Sequence, residues 1–293
     1  MEYHNRLPEE GINTPQRHPL LEFIRLSIAA VVALCVLGLL LNAAGGRLGA
    51  LVPYRAELWI ADRIDTAFVE SGVDSPFAKT ADSTAITEYL ATLGARVEQA
   101  LEMQAPMTIQ LHYSSEDVFN AFATLGGHVY FYKGLLKELP HENALVMLIA
   151  HEYSHVQLRH TARGVGGGLA VALGAALLPG GGGVESRLYT LASQYSSLNF
   201  SRDMETEADI NALRAVQQIY GHVNGADDLF ELFVSYRGDS QQGGLDGFFS
   251  THPLDSQRIE MIKNEAEAQG FSASGELTPL PAAFSTWLGL RCC

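Results

Sequence analysis

His151 and His155 stand four residues apart in LIAHEYSHVQLRH, with Glu152 directly after the first of them. On an α-helix that spacing is a little over one turn, so both imidazoles project from one face and can share a single ion. Glu152 is displaced by about 100° around the axis, where its carboxylate can reach a water on that ion without being a ligand. The pattern HExxH therefore points to hydrolysis by a metal-activated water, with the glutamate as general base. The competing interpretation is a buried helix with spectator histidines. Cost weakens it, because these polar groups follow the apolar run from Ala144 to Ala150 and would be desolvated with nothing to pair them.

A catalytic zinc needs a third protein ligand and an open fourth position. The continuation HExxHxxGxxH is absent, since Leu158 holds the glycine position and Thr161 the final histidine position. His160 is one residue out of place and, like His128, reads as a structural or surface residue. Between Cys35 and Cys292 there is no cysteine, so the remaining ligand must be a carboxylate or histidine from elsewhere. SRDMETEADINAL offers Glu205 for that role, and Asp209, one turn later on the same face, as the carboxylate that holds a ligand histidine by its second nitrogen. A solvated helix face is the alternative for this acidic cluster, and Glu207 competes with Glu205 as the ligand.

The elements that must position these residues are mostly helices. A buried helix begins near Pro140 to Asn143, because proline fits a first turn and the apolar run follows without a polar break. Leu188 to Tyr220 reads as one long helix or two in series, closed by Gly221, and DDLFELFVSY and DSQRIEMIKNEAEAQ give two more. Upstream, ELWIADRIDTAF and STAITEYLATLGARVEQAL carry apolar residues at helical spacing, the second with Asp82 or Ser83 as N-cap. TIQLHY and HVYFY alternate as strands do, and FNAFATLGG between them reads as a turn, so a small antiparallel sheet is expected. The fold class is α+β, mainly helical.

The chain resembles the membrane-associated zinc metallopeptidases of the HtpX and CAAX prenyl protease type. FNAFATLGGHVYFYKGLL, IAHEYSHVQLRH, SRDMETEAD and STHPLDSQRI carry the resemblance in that order, over roughly half the chain. It implies a zincin-like domain of the HExxH plus ExxxD type binding one zinc ion per chain, with His151, His155 and Glu205 as ligands, Glu152 as general base and Asp209 behind the ligands. It also implies that Asn120, Ala121, Phe122 and Ala123 belong to a substrate-side strand and turn near the metal, where strand addition could hold an extended peptide. His252, with Pro253 and Arg258, matches a further feature. It stands either as an oxyanion stabiliser or as a fourth ligand plugging a resting enzyme, while by itself it reads equally as a turn histidine capping the last helix. Leu125 replaces a proline common in the family, and Ser154 a glycine.

LSIAAVVALCVLGLLL, from Leu26 to Leu41, contains no charge, and Asn42-Ala43-Ala44 extends it close to the length of about 20 residues that a membrane span needs. An uncleaved single-pass anchor is expected over 26–44. Arg6, Arg17 and Arg25 precede it and Arg47, Arg55 and Arg63 follow it, so charge does not orient it, and a signal-anchor arrangement places the large domain on the periplasmic side. The expected organisation is a tail (1–25), the anchor (26–44), a helical lead-in (45–105) and a metallopeptidase domain (106–293), with a glycine-rich loop at 164–183. A net charge of -14, from 33 acidic and 19 basic residues, argues against nucleic acid as a partner. Protein or peptide substrates and the lipid bilayer remain. The chemistry expected is a metalloendopeptidase acting in membrane or envelope protein quality control, with a non-catalytic zinc-stabilised scaffold as the alternative. Glu152 separates the two, since a scaffold has no use for the base. Oligomeric state and the role of Cys292 and Cys293 stay open.

Overall fold

The computed structural model describes residues 18–51, 53–59, 61–62, 84–103, 106–164, 200–239, 252 and 256–290. The candidate N-caps Asp82 and Ser83, residues 165–183 of the glycine-rich loop, the start of the helix sought from Leu188, and Cys292–Cys293 lie outside these residues.

Helix α1 runs from Pro19 to Leu51 and takes in the expected anchor. Leu20, Phe23, Leu26, Ile28, Val31 and Leu40 expose their side chains on it, whereas the side chains at 34, 35, 37–39 and 41–48 fall outside the described set. Among the described residues no helix is long and apolar enough to cross a membrane, so the anchor over 26–44 is not met there.

The core starts with α2 (Thr84–Ala100), in the stretch expected as a helical lead-in. Its apolar residues Ile86, Leu90, Leu93 and Val97 recur every three or four positions, so they form one stripe, and all four are buried. At about 1.5–3 kcal/mol for each large apolar side chain removed from water, this stripe is a substantial part of what holds α2 in place.

Three strands follow, β1 (Gln110–Ser114), β2 (Ala121–Ala123) and β3 (His128–Tyr132). Their order is β1-β3-β2, with β1 parallel to β3 and β2 antiparallel to β3. The expected antiparallel sheet is therefore a mixed one, and of FNAFATLGG only the glycine end is a turn, Ala121–Ala123 being the strand that the resemblance implied. The physical reason is that β2 returns on β3 as a hairpin, which leaves β1 to pair with the far side of β3 in the opposite sense. A 3-10 turn at Leu125–Gly127 closes that hairpin, with Gly126 and Gly127 at positive φ. A Cβ on Gly127 would collide with the Thr108 carbonyl, so this glycine is required by space as well as by backbone angle.

After the short helix α3 (Lys133–Leu136) comes α4 (Glu142–Gln157), buried from Glu142 to Val156. His141 caps it by accepting from the Ala144 amide, and its other ring nitrogen lies 2.7 Å from Asp228. Glu142 gathers three donors, Tyr89 Oη at 2.7 Å, Tyr220 Oη at 2.8 Å and Arg96 Nη1 at 3.0 Å. Helix α4 packs along α5 (Arg202–Tyr220), which Ser201 caps by accepting from the Met204 amide and Gly221 ends in the left-handed conformation. Helices α6 (Asp228–Asp239) and α7 (Ser256–Ala268) and the terminal turn α8 (Phe284–Trp287) complete the described fold. Phe230 and Phe233 from α6 and Ile262 from α7 join the α2, β3 and α4 side chains in one core.

Candidate metal centre

The α4–α5 interface brings His151, His155, Glu205 and His252 together, all buried, with one potential donor atom from each lying within 4.8 Å of the others. His155 Nε2 is 3.1 Å from His151 Nε2 and 3.4 Å from Glu205 Oε1, and His151 Nε2 is 3.6 Å from Glu205 Oε2. His252 Nδ1 completes the set at 3.0 Å from Glu205 Oε1 and 3.3 Å from His151 Nε2. Four donors at about 2.0–2.1 Å around a tetrahedral zinc ion stand about 3.3 Å apart. The observed separations bracket that value, and two imidazoles with a carboxylate are a donor set that zinc takes.

Glu152 is the second sign that something polar belongs here. Its side chain is fully buried, with no close side-chain hydrogen bond among the described residues and only His252 Nε2 near it, 3.5 Å from Oε1. Such a group is expensive to leave alone, at about 1–3 kcal/mol or more for a charged one. Burial pushes its carboxyl up, against the opposing pull of His252 and His151. A carboxylate held in this way takes up a proton more readily than one in water, which suits a general base.

Behind the donors the two histidines are supported differently. His151 Nδ1 faces Asp209 Oδ1 at 2.9 Å. Asp209 in turn receives Arg258 through Nε at 2.8 Å and Nη2 at 2.7 Å, and Arg258 Nη1 also reaches Glu205 Oε2 at 2.8 Å. The planar guanidinium can hold both carboxylates at once because its donors lie in a fixed fork. Burial alone would raise the Asp209 carboxyl, but Arg258 and His151 outweigh it and leave it below its ordinary range. Burial and His252 oppose each other at Glu205 in the same way, and the charges win.

His155 is fully buried and stacks on Phe200 with centroids 3.9 Å apart. Burial, with the neighbouring imidazoles, holds its pKa well below the ordinary histidine value. Its Nδ1 lies 3.0 Å from Nδ1 of His160. His160 is thus no surface residue, and its other nitrogen sits 2.9 Å from Glu207, the half-exposed glutamate that competes with Glu205 in the sequence. Helical periodicity hid this contact, because residues five apart on a continuous helix point about 140° away from each other. The helix is not continuous: α4 ends at Gln157 with Leu158 as its C-cap, Arg159 takes a positive φ of 61°, and helix resumes over 160–164. That left-handed residue costs of order 1–2 kcal/mol and turns His160 back toward His155. Arg159 is held there by Glu57, at 2.9 Å from Nε and 2.7 Å from Nη2.

Ser154, the departure from glycine, is buried and useful: it donates to the Ala150 carbonyl at 2.6 Å and accepts from Asn211 of α5 at 3.1 Å. Strand β2 runs past the site, with the Ala123 backbone beside the Glu152 carboxylate. Ala121, Phe122 and Ala123 are buried, as is Asn120, and β2 is an edge of the sheet. His128 lies away from the metal donors, 2.9 Å from His112 across the parallel pair.

The comparison with known proteins places the chain in a protease family: residues 85–266 match the family model described as peptidase family M48, and the chain belongs to that family. Over 158 residues it is 34% identical to the mitochondrial metalloendopeptidase OMA1 of Schizosaccharomyces pombe, covering 53% of this chain and 45% of that protein. Over 215 residues it is 29% identical to a beta-barrel assembly-enhancing protease of Yersinia pestis, covering 68% and 41%. The metalloprotease LoiP of Escherichia coli is 29% identical over 163 residues, covering 54% and 62%. The matched region takes in less than two thirds of each of these relatives.

Proposed function

We propose that the protein is a membrane-anchored zinc metalloendopeptidase. The observation that carries this is the burial of the Glu152 carboxylate directly beside a tetrahedrally spaced donor set. In this reading His151, His155 and Glu205 hold the ion, and Asp209 orients His151. Bound there, zinc supplies a Lewis acid that acidifies water and polarises a peptide carbonyl. Glu152 accepts the proton of the attacking water and passes it to the nitrogen of the leaving amine. His252 lies within the donor set, which supports its reading as a fourth ligand of the resting enzyme over that of an oxyanion stabiliser. The free edge of β2, from Asn120 to Ala123, receives the substrate as an added strand beside Glu152.

The exposed apolar side chains of α1, from Leu20 to Leu40, support a single-pass anchor over 26–44. The relatives are named as mitochondrial and barrel-assembly proteases, which supports substrates among membrane or envelope proteins; a periplasmic placement of the catalytic domain is proposed from the signal-anchor arrangement of the sequence. Kinship with HtpX and the CAAX prenyl proteases rests on the quoted motifs alone.

The test is cleavage of casein and of a membrane protein by wild type and Glu152→Gln, with bound zinc measured in both. The expected result is a fall in turnover of about 10²–10⁴-fold with zinc retained. Equal cleavage by the variant, or a wild type that holds no zinc, would show the proposal to be wrong.

A further inference from the structure

His160 is a buried histidine that hydrolysis does not require, placed by a break in the very helix that carries HExxH. Its contacts fix where its proton sits. Glu207 as a carboxylate can only accept, so His160 Nε2, 2.9 Å away, is the protonated nitrogen. A neutral imidazole then has an unprotonated Nδ1, which is an acceptor. The atom facing it at 3.0 Å is His155 Nδ1, which must donate. His155 is therefore left with its lone pair on Nε2, and Nε2 is the nitrogen that faces His151 and Glu205.

We propose that His160 is a positioning residue that fixes the tautomer and ring orientation of His155, within a chain Glu207–His160–His155 that ends at the metal position. The kink at Arg159, held by Glu57, is the device that brings it there. Arg163, 3.3 Å from Glu207, steadies the outer end. The proposal rests on the reading of His155 as a zinc ligand.

The experiment pairs two measurements on the full chain, wild type beside His160→Leu and His160→Asn. The first is zinc affinity by chelator competition. Leucine removes the acceptor while keeping bulk, and affinity is expected to fall about 10–100-fold, the usual effect of losing a group that orients a ligand histidine. Asparagine restores an acceptor oxygen near the Nδ1 position and is expected to recover most of that loss. The second is the tautomer of His155 in metal-free protein, by nitrogen–proton correlation in the ring. Wild type is expected to carry the proton on Nδ1, and His160→Leu to lose that preference. If His160→Leu keeps wild-type zinc affinity and the same His155 tautomer, the proposal is overturned, even if its melting temperature falls. If wild type binds no zinc yet shows the Nδ1 proton held by His160, the pairing stands and the ligand role of His155 fails instead.

Discussion

The two histidines of HExxH sit one turn apart, yet the protein supports them in opposite ways. His151 backs onto Asp209, a buried anion clamped by a buried cation, Arg258. His155 backs onto His160, a neutral ring whose far side reaches Glu207 at the surface. The first support is charged and sealed, so removing either partner strands a charge without water. The second is a pair of imidazoles whose only charge, Glu207, stands at a solvated end, and its outer link is cheap. A site can thus be anchored strongly on one side and adjusted on the other.

The largest break in this comparison comes from Asp209→Ala. Arg258 keeps Glu205 but loses both bonds to Asp209, and breaking a buried pair costs about 3–5 kcal/mol. Urea unfolding of the metal-free protein should show that loss, and chelator competition a weaker zinc site by about 10–100-fold.

Acid should separate the two supports. The pKa of His155 is lowered by burial, so the unfolded chain binds a proton that the folded one refuses. Stability of the metal-free protein is therefore expected to fall as pH drops below about 6.5. His252, raised by Glu205 and Glu152 over the opposing effect of burial, works in the reverse direction and makes that step shallower. The Asp209 carboxyl is held low, so its contribution is present above about 4 and lost as pH falls further. Denaturant midpoints between pH 8 and pH 3 should show both steps, and Asp209→Asn should shrink the lower one to the share that Glu205, also held low, contributes.

The smallest effect belongs to Glu207→Ala. This side chain is half-exposed, so the change should cost less than about 1 kcal/mol, and its cost should shrink further in high salt. An effect as large as that of Asp209→Ala would abolish the contrast between sealed and solvated supports.

Most of the site was legible because it obeys helical arithmetic. A spacing of four from His151 to His155, and of four from Glu205 to Asp209, is enough to put each pair on one face. His160 was not legible, because its place depends on a left-handed residue at Arg159, a position where nothing in the residue type announces a break. Strand β2 was expected from the family resemblance and not from its own residues. Ala121-Phe122-Ala123 is too short to show alternation, and its strand character comes from pairing with β3 rather than from its own propensity. The parallel sense of β1 and β3 is likewise a matter of long-range register, which local pattern does not carry.

The cluster on Glu142 separates the upkeep of the bundle from the chemistry of the site. Tyr89 and Arg96 of α2 and Tyr220 of α5 converge on that one carboxylate at the start of α4, fifteen Å or so of helix rise from the histidines. The three helices are thus tied together by side chains that belong to none of the donor set, so the knot at one end of α4 can be loosened without altering a single group at the other.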